Sequence, residues 1–264
     1  MTAEKIKNCP GTKWAGQNLI YLEETDSTNT RAKELGAAGA PHGTLVVAEK
    51  QNAGKGRRGR SWESPAGSSI YMTILLRPDF APSQAPMLTL VMAHSIAGAI
   101  REQTQAEVGI KWPNDLVVNG KKICGILTEM NAGVGRIDYV VIGVGINVNT
   151  EGFPEEIADK ATSLYLELGK KQDRAKLIAA GMQRFEEDYE KFCAAGDLSP
   201  FVEEYNKILV NCGKEVRVLE PGNEYNARSF GIDASGELQV EKADGTREAV
   251  FAGEVSVRGI YGYT

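Results

Sequence analysis

The chain carries, at positions 51–62, the run Gln51-Asn-Ala-Gly-Lys-Gly-Arg-Arg-Gly-Arg-Ser-Trp62. On either side lie Thr44-Leu-Val-Val-Ala-Glu49 and Ser69-Ile-Tyr-Met-Thr-Ile-Leu-Leu76, whose β-branched and large apolar residues predict buried strands. The three glycines of the run let the backbone approach a ligand closely, and its arginines supply planar donors for phosphate or carboxylate. We interpret the run as a ligand-binding loop at the edge of a sheet. On its own it also fits a solvated basic loop or a nucleic-acid patch.

The rest of the chain alternates between strand-like and helix-like patterns. Asp26 and Ser27 open the first predicted helix, because both side chains can accept hydrogen bonds from the free amides of a first turn. Other helices are predicted from apolar residues at helical spacing, and strands from short branched runs. The predicted strands cover 19–23, 44–49, 69–76, 108–111, 116–118, 123–129 and 138–148, and the predicted helices cover 26–35, 85–104, 173–194 and 200–209.

The pattern changes after Gly213, where short alternating segments replace long ones. They fill 214–258 and are separated by the turn sequences Pro221-Gly222-Asn223, Ser235-Gly236 and Asp244-Gly245. Strands this short and regular predict a small antiparallel barrel or sandwich of SH3-like size. We therefore predict a loose lead-in over 1–17, a large domain over 18–210 and a small domain over 211–264.

Composition argues against several classes of protein. The 264 residues are 42% hydrophobic, enough for a substantial core, and the net charge of −5 argues against DNA or RNA as the main partner. The cysteines lack the Cys-x-x-Cys spacing of zinc or redox sites, so we expect reduced thiols. Since the sequence has neither a signal peptide nor an apolar run as long as a membrane span, we expect a cytoplasmic protein without a membrane partner. The four cysteines are Cys9, Cys124, Cys193 and Cys212.

Three more segments carry groups suited to chemistry. An amide and a carboxylate stand in a predicted turn within Lys111-Trp-Pro-Asn-Asp-Leu116, where they suit a metal ion or a ribose; a turn-forming pair beside a core Trp is the alternative. Lys122 begins an apolar strand and suits an anion, but it also fits a plain hairpin turn. A strand ends with two glycines and an amide in Gly143-Val-Gly-Ile-Asn-Val148, which allows close backbone approach.

Together and in this order, these segments resemble the biotin protein ligase family over nearly the whole chain, from about Asn18 to Arg258. Lys55 replaces the first Arg of the family's biotin-binding loop, which keeps the positive charge but loses the planar fork. The Lys-Trp-Pro-Asn-Asp-Leu motif is unchanged. The matched segments are Ser27-Thr28-Asn29, Gly54 to Arg60, Lys111 to Leu116, Lys122 to Leu127, Gly143 to Asn147 and Gly253 to Arg258.

The resemblance implies an α+β fold. In that fold a mixed sheet is flanked by helices, as in class II aminoacyl-tRNA synthetases, and a small SH3-like β-barrel follows at the C-terminus. Residues 18–210 would then form a catalytic domain that binds biotin and ATP, and the small domain would complete it.

The resemblance also implies an ATP-dependent ligase reaction. Biotinyl-5′-AMP forms first, and biotin then passes to one lysine of a biotin carboxyl carrier protein (an acetyl-CoA carboxylase subunit) or of another biotin-accepting carboxylase domain. A homodimer is compatible with the family. Only 26 residues precede Ser27, too few for the helix-turn-helix of the family's repressor members. We therefore expect no repressor activity and no DNA partner.

Individual residues take roles from the same resemblance. Lys122 would offset the charge between the biotin carboxylate and the α-phosphate, Arg57 would clamp phosphate oxygens, and Asp115 would support this catalytic centre as a candidate Mg²⁺ ligand. The implied biotin-binding residues are Ser27, Thr28, Asn29, Gln51, Gly54, Lys55, Arg57, Lys122 and Gly125. The implied ATP- and adenylate-binding residues are Arg57, Arg58, Arg60, Trp62, Lys111, Asn114, Asp115 and Asn147.

Three rival functions fit parts of the sequence. A lipoate ligase would share the fold and the adenylating chemistry. A nucleic-acid-binding protein would use residues 55–60 and bind DNA in a salt-sensitive way. A biotin-binding module would keep the binding groups but lack a working Lys122 centre. The unchanged Lys-Trp-Pro-Asn-Asp run, the arginine-rich loop and the negative net charge favour the biotin ligase.

Overall fold

The computed structural model describes residues 1–7, 11–220, 222–252, 256–259 and 263–264, which form a large α+β unit and a small β unit. The helices are α1 (Ala3–Lys7), α2 (Thr28–Ala37), α3 (Met87–Thr104), α4 (Leu164–Leu168), α5 (Arg174–Ala195) and α6 (Val202–Ile208). The strands of the large unit are β1 (Leu19–Thr25), β2 (Thr44–Gln51), β3 (Ile70–Leu76), β4 (Gly109–Lys111), β5 (Asp115–Val118), β6 (Lys121–Gly133) and β7 (Arg136–Ile146). Those of the small unit are β8 (Glu215–Glu220), β9 (Asn223–Ile232), β10 (Leu238–Lys242), β11 (Arg247–Val250) and β12 (Ser256–Gly259).

A seven-stranded sheet forms the centre of the large unit, in the order β1-β2-β3-β7-β6-β5-β4. β1 and β2 run parallel and the other neighbours run antiparallel, so the sheet is mixed, as predicted. Every residue of β3 is buried, because this strand lies inside the sheet with both faces covered. Its nearly continuous apolar run is typical of such a position.

Helices cover the two faces of this sheet. α3 and α5 pack against each other and bury the main core, while α2 lies against β2, β3 and β7, where Ala32 and Leu75 belong to a smaller apolar cluster. α5 lies within one residue of its predicted range, because the Asp173 side chain caps its first turn and Gly196 ends it in a left-handed conformation. No helix in the described part of the chain is long and apolar enough to cross a membrane.

The small unit is a five-stranded antiparallel sheet in the order β11-β10-β9-β8-β12, which confirms the predicted C-terminal β domain. It is joined to the large unit by hydrogen bonds. The Trp112 indole N–H donates to the Gly236 carbonyl at 3.1 Å, and the Asn206 amide pairs with the backbone of Ile232 at 2.8 and 3.1 Å. Apolar residues of both units belong to one buried cluster. The predicted domain boundary at 210 falls between α6 and β8.

The described residues of 1–17, which were predicted as a loose lead-in, make specific contacts with the core. They include α1, and the Glu186 carboxylate of α5 accepts hydrogen bonds from the backbone amides of Lys13, Trp14 and Ala15 at 2.7 to 2.8 Å. A buried carboxylate with three amide donors ties this segment to the core. Sequence patterns did not indicate the contact, because it joins residues more than 170 positions apart.

The first turn of α2 is capped differently from the prediction. Ser27 occupies the N-cap position, yet its side chain makes no cap hydrogen bond. The carboxamide oxygen of Gln51, at the end of β2, accepts from the Thr28 amide at 2.8 Å instead. A long-range side chain therefore does what the local Ser27 hydroxyl was predicted to do. In the closing segment matched to the family, 253–255 lies outside the described residues and 256–259 forms β12.

Candidate active site

Neighbouring strands of the large sheet bring two glycines and a carboxylate into register. Asp115 of β5 is opposite Gly125 of β6, and Gly125 is opposite Gly145 of β7. The ring of Trp62 lies over the bare sheet at these glycines, so closely that a methyl group added to either one would come within 3.0 Å of the ring. The two glycines thus form the floor of a cleft that opens to solvent.

A buried cluster of charges lies beside this floor. Lys122 Nζ is 2.6 Å from Asp115 Oδ1, and Lys111 Nζ is 3.8 Å from Asp115 Oδ2. The Tyr263 hydroxyl donates to Asp115 Oδ2, and Lys111 Nζ lies 4.2 Å from the centre of the Tyr263 ring. Because two lysines share one carboxylate, the cluster has an excess of positive charge, which suits an anionic ligand.

Burial and these contacts shift the protonation of the cluster. Burial lowers the pKa of Lys111 to about 8, against the opposing effect of Asp115. Burial alone would raise the pKa of Asp115, but Lys122, Lys111 and the Tyr263 hydroxyl outweigh it and hold this pKa below its usual value. Burial and the nearby Asp115 raise the pKa of Tyr263, so its hydroxyl stays a donor. Near pH 7 the cluster therefore holds an ionised carboxylate and a protonated Lys111.

The glycine-rich loop folds back on itself as a hairpin beside the cleft. The Gly56 amide donates to the Arg60 carbonyl at 2.7 Å, and the Trp62 amide donates to the Gly54 carbonyl at 2.9 Å. A methyl group on Gly54 would lie 2.3 Å from the Trp62 carbonyl oxygen, so this position requires glycine. Arg58, within a short 3-10 turn, adopts a left-handed conformation with φ 59°.

Arg57 connects the loop to both units. Its guanidinium donates to Asn114 Oδ1 at 2.8 Å and to the Ala252 carbonyl at 3.0 Å. Burial lowers the pKa of Arg57, but an arginine keeps its charge under such a shift. Lys55, which replaces an arginine of the family's loop, instead extends to α2, where its ammonium donates to Thr30 Oγ1 at 2.8 Å.

A network of polar side chains borders another part of the cleft. Gln51 Oε1 accepts from the Thr28 amide at 2.8 Å and from the Thr28 hydroxyl at 3.0 Å. Thr73 Oγ1 lies 2.8 Å from Thr28 Oγ1 and 2.7 Å from Asn29 Oδ1. Asn29 Nδ2 donates to Glu129 Oε2 at 2.9 Å. These mutual bonds fix the directions in which the polar groups point.

The cleft brings most of the predicted site residues together. Asp115 and Lys111 lie directly behind Lys122, and Asn29 and Gly54 hold cleft residues in place through the contacts described above. The predicted residues that line the cleft are Ser27, Thr28, Gln51, Lys55, Arg57, Trp62, Asn114, Lys122 and Gly125.

The other predicted residues lie away from the cleft lining. Arg58 borders a neighbouring groove, and Arg60 is exposed on the loop. Asn147 is buried, and its side chain donates to the Thr162 carbonyl at 3.1 Å, so in this structure it holds the segment that precedes α4.

Known proteins are similar to this chain in sequence and in fold. Residues 21–147 match the Biotin/lipoate A/B protein ligase family, and residues 212–258 match the Biotin protein ligase C terminal domain. The chain is 40% identical over 239 residues to the bifunctional ligase/repressor BirA of Bacillus subtilis, which covers 90% of this chain and 73% of that protein. It is 31% identical to the biotin–[acetyl-CoA-carboxylase] ligase of Paracoccus denitrificans, over 90% of this chain and 100% of that protein. The chain belongs to the biotin protein ligase family.

A solved structure of another biotin protein ligase is similar to this chain in fold. The biotin protein ligase from Aquifex aeolicus in complex with biotin and ATP has a TM-score of 0.81 and 33% sequence identity to this chain. The match covers 92% of this chain and 99% of that chain. The family and the fold predicted from the motifs are therefore confirmed, and the protein is a biotin ligase enzyme. The roles of its individual residues stay predictions.

Trp62 of the ligase presents an unused hydrogen-bond donor at the cleft. Its indole nitrogen is buried without a hydrogen-bond partner among the described residues, and such a group costs about 1–3 kcal/mol. Lys122 Nζ lies 5.1 Å from the centre of its ring. A buried donor next to a cation is suited to a ligand with a polar or anionic acceptor.

Sequence analysis missed three side chains of the ligase site. Thr73 is the one small polar residue among the large aliphatic and aromatic residues of the buried β3, and this contrast was a signal that the sequence offered. Glu129 binds Asn29 and forms an ion pair with Lys33 at 2.7 Å, but a carboxylate near a strand end is too common to single out. Tyr263 contacts a residue 148 positions away, so no local pattern indicated it.

The residues of the ligase do not fit a resident Mg²⁺ ion. Among the described residues, no three His, Cys, Asp or Glu side chains gather into a metal-binding group. Asp115 is the candidate ligand predicted from sequence, but Lys122 occupies its Oδ1 and Tyr263 its Oδ2. Mg²⁺ typically takes one or two carboxylates together with substrate phosphates, so an ion that arrives with a nucleotide remains compatible with this site.

Proposed function

We propose that the ligase activates biotin with ATP and transfers it to one lysine of a biotin carboxyl carrier protein, the acetyl-CoA carboxylase subunit, or of a related carboxylase domain. One observation carries the proposal: the Lys122–Asp115 ion pair of 2.6 Å beside a glycine-floored cleft that Arg57 also lines. The names of the relatives support the substrates, since one is a biotin–[acetyl-CoA-carboxylase] ligase and one solved neighbour holds biotin and ATP.

In the first proposed step, a biotin carboxylate oxygen attacks the α-phosphorus of ATP. A phosphorus–oxygen bond forms to biotin, the bond from the α-phosphorus to the bridging oxygen breaks, and pyrophosphate leaves. The step brings two anions together, and its main barrier is their repulsion. Lys122 and Arg57 supply fixed positive charge where negative charge accumulates, while Asp115 keeps Lys122 in place. Mg²⁺ enters with ATP as part of the substrate.

In the second proposed step, the neutral amine of the acceptor lysine attacks the acyl carbon of biotinyl-5′-AMP. A carbon–nitrogen bond forms, the bond between the acyl carbon and the phosphate oxygen breaks, and AMP leaves as the amine gives up a proton. Lys122 again stabilises the negative charge, which now collects on the departing phosphate. The hairpin loop shields this anhydride from water, because its residues Gly56, Arg57 and Trp62 line the cleft.

The polar network gives the site a means of recognising the ureido ring of biotin. Ser27, Thr28 and Gln51 line the cleft, and the hydroxyl of Ser27 makes no helix-cap bond. The hydrogen bonds from Thr28 to Gln51 Oε1 direct the carboxamide, so its donor and acceptor sides are set before a ligand binds. This arrangement discriminates by hydrogen bonding, which is a strong basis for specificity.

We also propose where the ligase works and what it does not do. Cys124, Cys193 and Cys212 are free thiols, and the proposed reaction consumes ATP, both of which support the cytoplasm as its location. We propose that the ligase has no repressor activity, and a DNA-binding assay over a range of salt concentrations would test this.

The test of the proposed function is transfer of labelled biotin to a carrier domain with ATP and Mg²⁺. Lys122→Ala should reduce the rate about a hundredfold or more, as loss of one preorganised charge does. Lys121→Ala is the matched control, because this neighbouring lysine is further from the cleft and donates to the Ala158 carbonyl at 3.0 Å. Thermal unfolding of each variant separates lost activity from lost structure.

Each outcome has a distinct meaning. Transfer that survives Lys122→Ala would move the charge-offsetting role to Arg57 or to the metal that accompanies ATP. A wild type that transfers lipoate and not biotin would mean that the substrate is wrong. A wild type that transfers neither would overturn the proposed function.

A further inference from the structure

Tyr263, which follows the small sheet, reaches into the charge cluster of the large unit. Its hydroxyl donates to Asp115 Oδ2, and the Lys111 ammonium lies 4.2 Å from the centre of its ring. The next residue is close to the same region, because Thr264 Oγ1 would lie 3.3 Å from a methyl group on Gly120, in the turn between β5 and β6. The small unit therefore delivers one aromatic side chain to the residues that hold Lys122.

The two oxygens of Asp115 have separate partners. Oδ1 forms an ion pair with Lys122 Nζ at 2.6 Å, while Oδ2 accepts from Tyr263 and faces Lys111 at 3.8 Å. A carboxylate with one partner rotates about its last side-chain bond, and a flexible lysine follows it. With Oδ2 held by Tyr263, that rotation is blocked and the position of Lys122 Nζ is defined.

We propose that Tyr263 is a positioning residue: it fixes Asp115, so that Asp115 fixes Lys122 at the reacting centre. The small unit thereby contributes directly to adenylation. This inference rests on the proposed function for the role of Lys122, but the contact itself does not depend on the identity of the substrate.

The same contact could instead be a latch, in which Tyr263 blocks the nucleotide site. The geometry favours the positioning role over the latch. Among the described residues, Lys122, Arg57 and Trp62 line the cleft and Tyr263 does not. Its hydroxyl is directed at the carboxylate behind Lys122, so it leaves the cleft lining free. A latch would have to occupy the space that the substrate needs.

The test compares Tyr263→Phe with Tyr225→Phe in biotin-dependent ATP–pyrophosphate exchange. Tyr225 offers a matched control in the small sheet, because its hydroxyl also donates to a carboxylate, Glu248, and a lysine, Lys242, lies 4.3 Å from its ring centre. Tyr263→Phe keeps the ring next to Lys111 and removes only the hydroxyl. We expect kcat to fall about tenfold or more with little change in KM for biotin, and no change for Tyr225→Phe.

Four results would overturn the proposal. An unchanged kcat in Tyr263→Phe would contradict it directly. A rise in kcat or a lower KM for ATP in Tyr263→Phe would establish the latch instead. An equal loss in Tyr225→Phe would indicate a general effect on the small sheet. Tyr263→Phe could also lose activity only because its thermal midpoint is lower. That loss would disappear when the wild type and the variant are assayed well below this midpoint, and it would indicate a structural role only.

A second measurement does not require any substrate. Acetylation of lysines by acetic anhydride, followed by mass spectrometry, reports the accessibility and protonation of Lys111 and Lys122. Tyr263→Ala should increase labelling of both several-fold, while Tyr225→Ala should not. An inactive wild type with labelling that depends on Tyr263 would overturn the proposed function and support the positioning contact. An active wild type whose exchange and labelling both ignore Tyr263 would overturn the positioning proposal alone.

Discussion

At the scale of single residues, Lys111 determines how the charge of the cluster responds to pH. Burial lowers its pKa to about 8, so it is protonated at pH 7 and becomes neutral as the pH rises through 8. Loss of this charge removes part of the attraction for the phosphates of ATP. We therefore predict that KM for ATP rises about tenfold between pH 7 and pH 9, equivalent to ~1.4 kcal/mol. Steady-state exchange kinetics at fixed biotin would measure the change.

Lys111→Arg provides the control for this titration. Arginine stays charged throughout the range, so KM for ATP in the variant should vary little over the same interval. Lys121→Arg, at a half-buried position whose side chain donates to the Ala158 carbonyl, should behave like the wild type. A wild-type KM that stays constant up to pH 9 would contradict the role of Lys111 in nucleotide binding.

Sequence alone could predict only some of the residues at the site. Motifs identified Lys122, Asp115 and Arg57, because their types and spacing are unusual within short segments. Thr73 and Tyr263 were missed, since what matters about them is which distant residue each one contacts. The sequence also could not predict which way the Asn147 side chain points, because the motif does not specify the direction of an amide. In the structure this side chain donates to the Thr162 carbonyl.

At the scale of elements, the fit of α2 against β7 depends on Gly143. A methyl group there would lie 1.9 Å from Asn29 Oδ1, so Gly143→Ala must displace Asn29 and break its bonds to Thr73 and Glu129. We predict a loss of about 1–3 kcal/mol in the free energy of unfolding, typical of overpacking, together with a higher KM for biotin.

The matched control for Gly143→Ala is Gly152→Ala. Nothing lies within 4 Å of the position that the added methyl group would take at Gly152. Urea unfolding of both variants, and biotin titration of the exchange rate, would measure the two effects. If Gly143→Ala were as stable and as active as Gly152→Ala, the tight packing of Asn29 against β7 would be refuted.

Element length decides which helices and strands the sequence could predict. α5 was predicted within one residue, because twenty-two residues repeat one apolar face and both ends carry capping signals. α4 was missed, since its five residues are too few for a periodicity to appear, although the Ser163 hydroxyl accepts from the Leu166 amide and caps it. The family resemblance implied a mixed sheet but not the order of its seven strands, because strand patterns do not encode which strands are neighbours.

At the scale of the whole molecule, the two units share one core. The turn at Gly236 packs against the large unit, where a methyl group on it would come within 3.0 Å of Leu198 and Leu90. The Trp112 indole donates to the carbonyl of the same glycine at 3.1 Å. Since Arg57 and Tyr263 also join the two units, the small unit contributes contacts beside the candidate site.

This continuity predicts that the whole ligase unfolds as one cooperative unit, and that Trp112 maintains that coupling. Trp112→Phe removes the N–H bond to Gly236 and leaves a small cavity, so we expect the free energy of unfolding to fall by about 2–4 kcal/mol. Trp14→Phe is the control, because Trp14 packs by its ring against His42 and Tyr189 at 4.5 and 5.3 Å and should lose less. Calorimetry should give a single transition for the wild type, with equal calorimetric and van't Hoff enthalpies. Two separate wild-type transitions would mean that the small sheet folds independently. Tyr263 could then not hold Asp115 in place as rigidly as proposed.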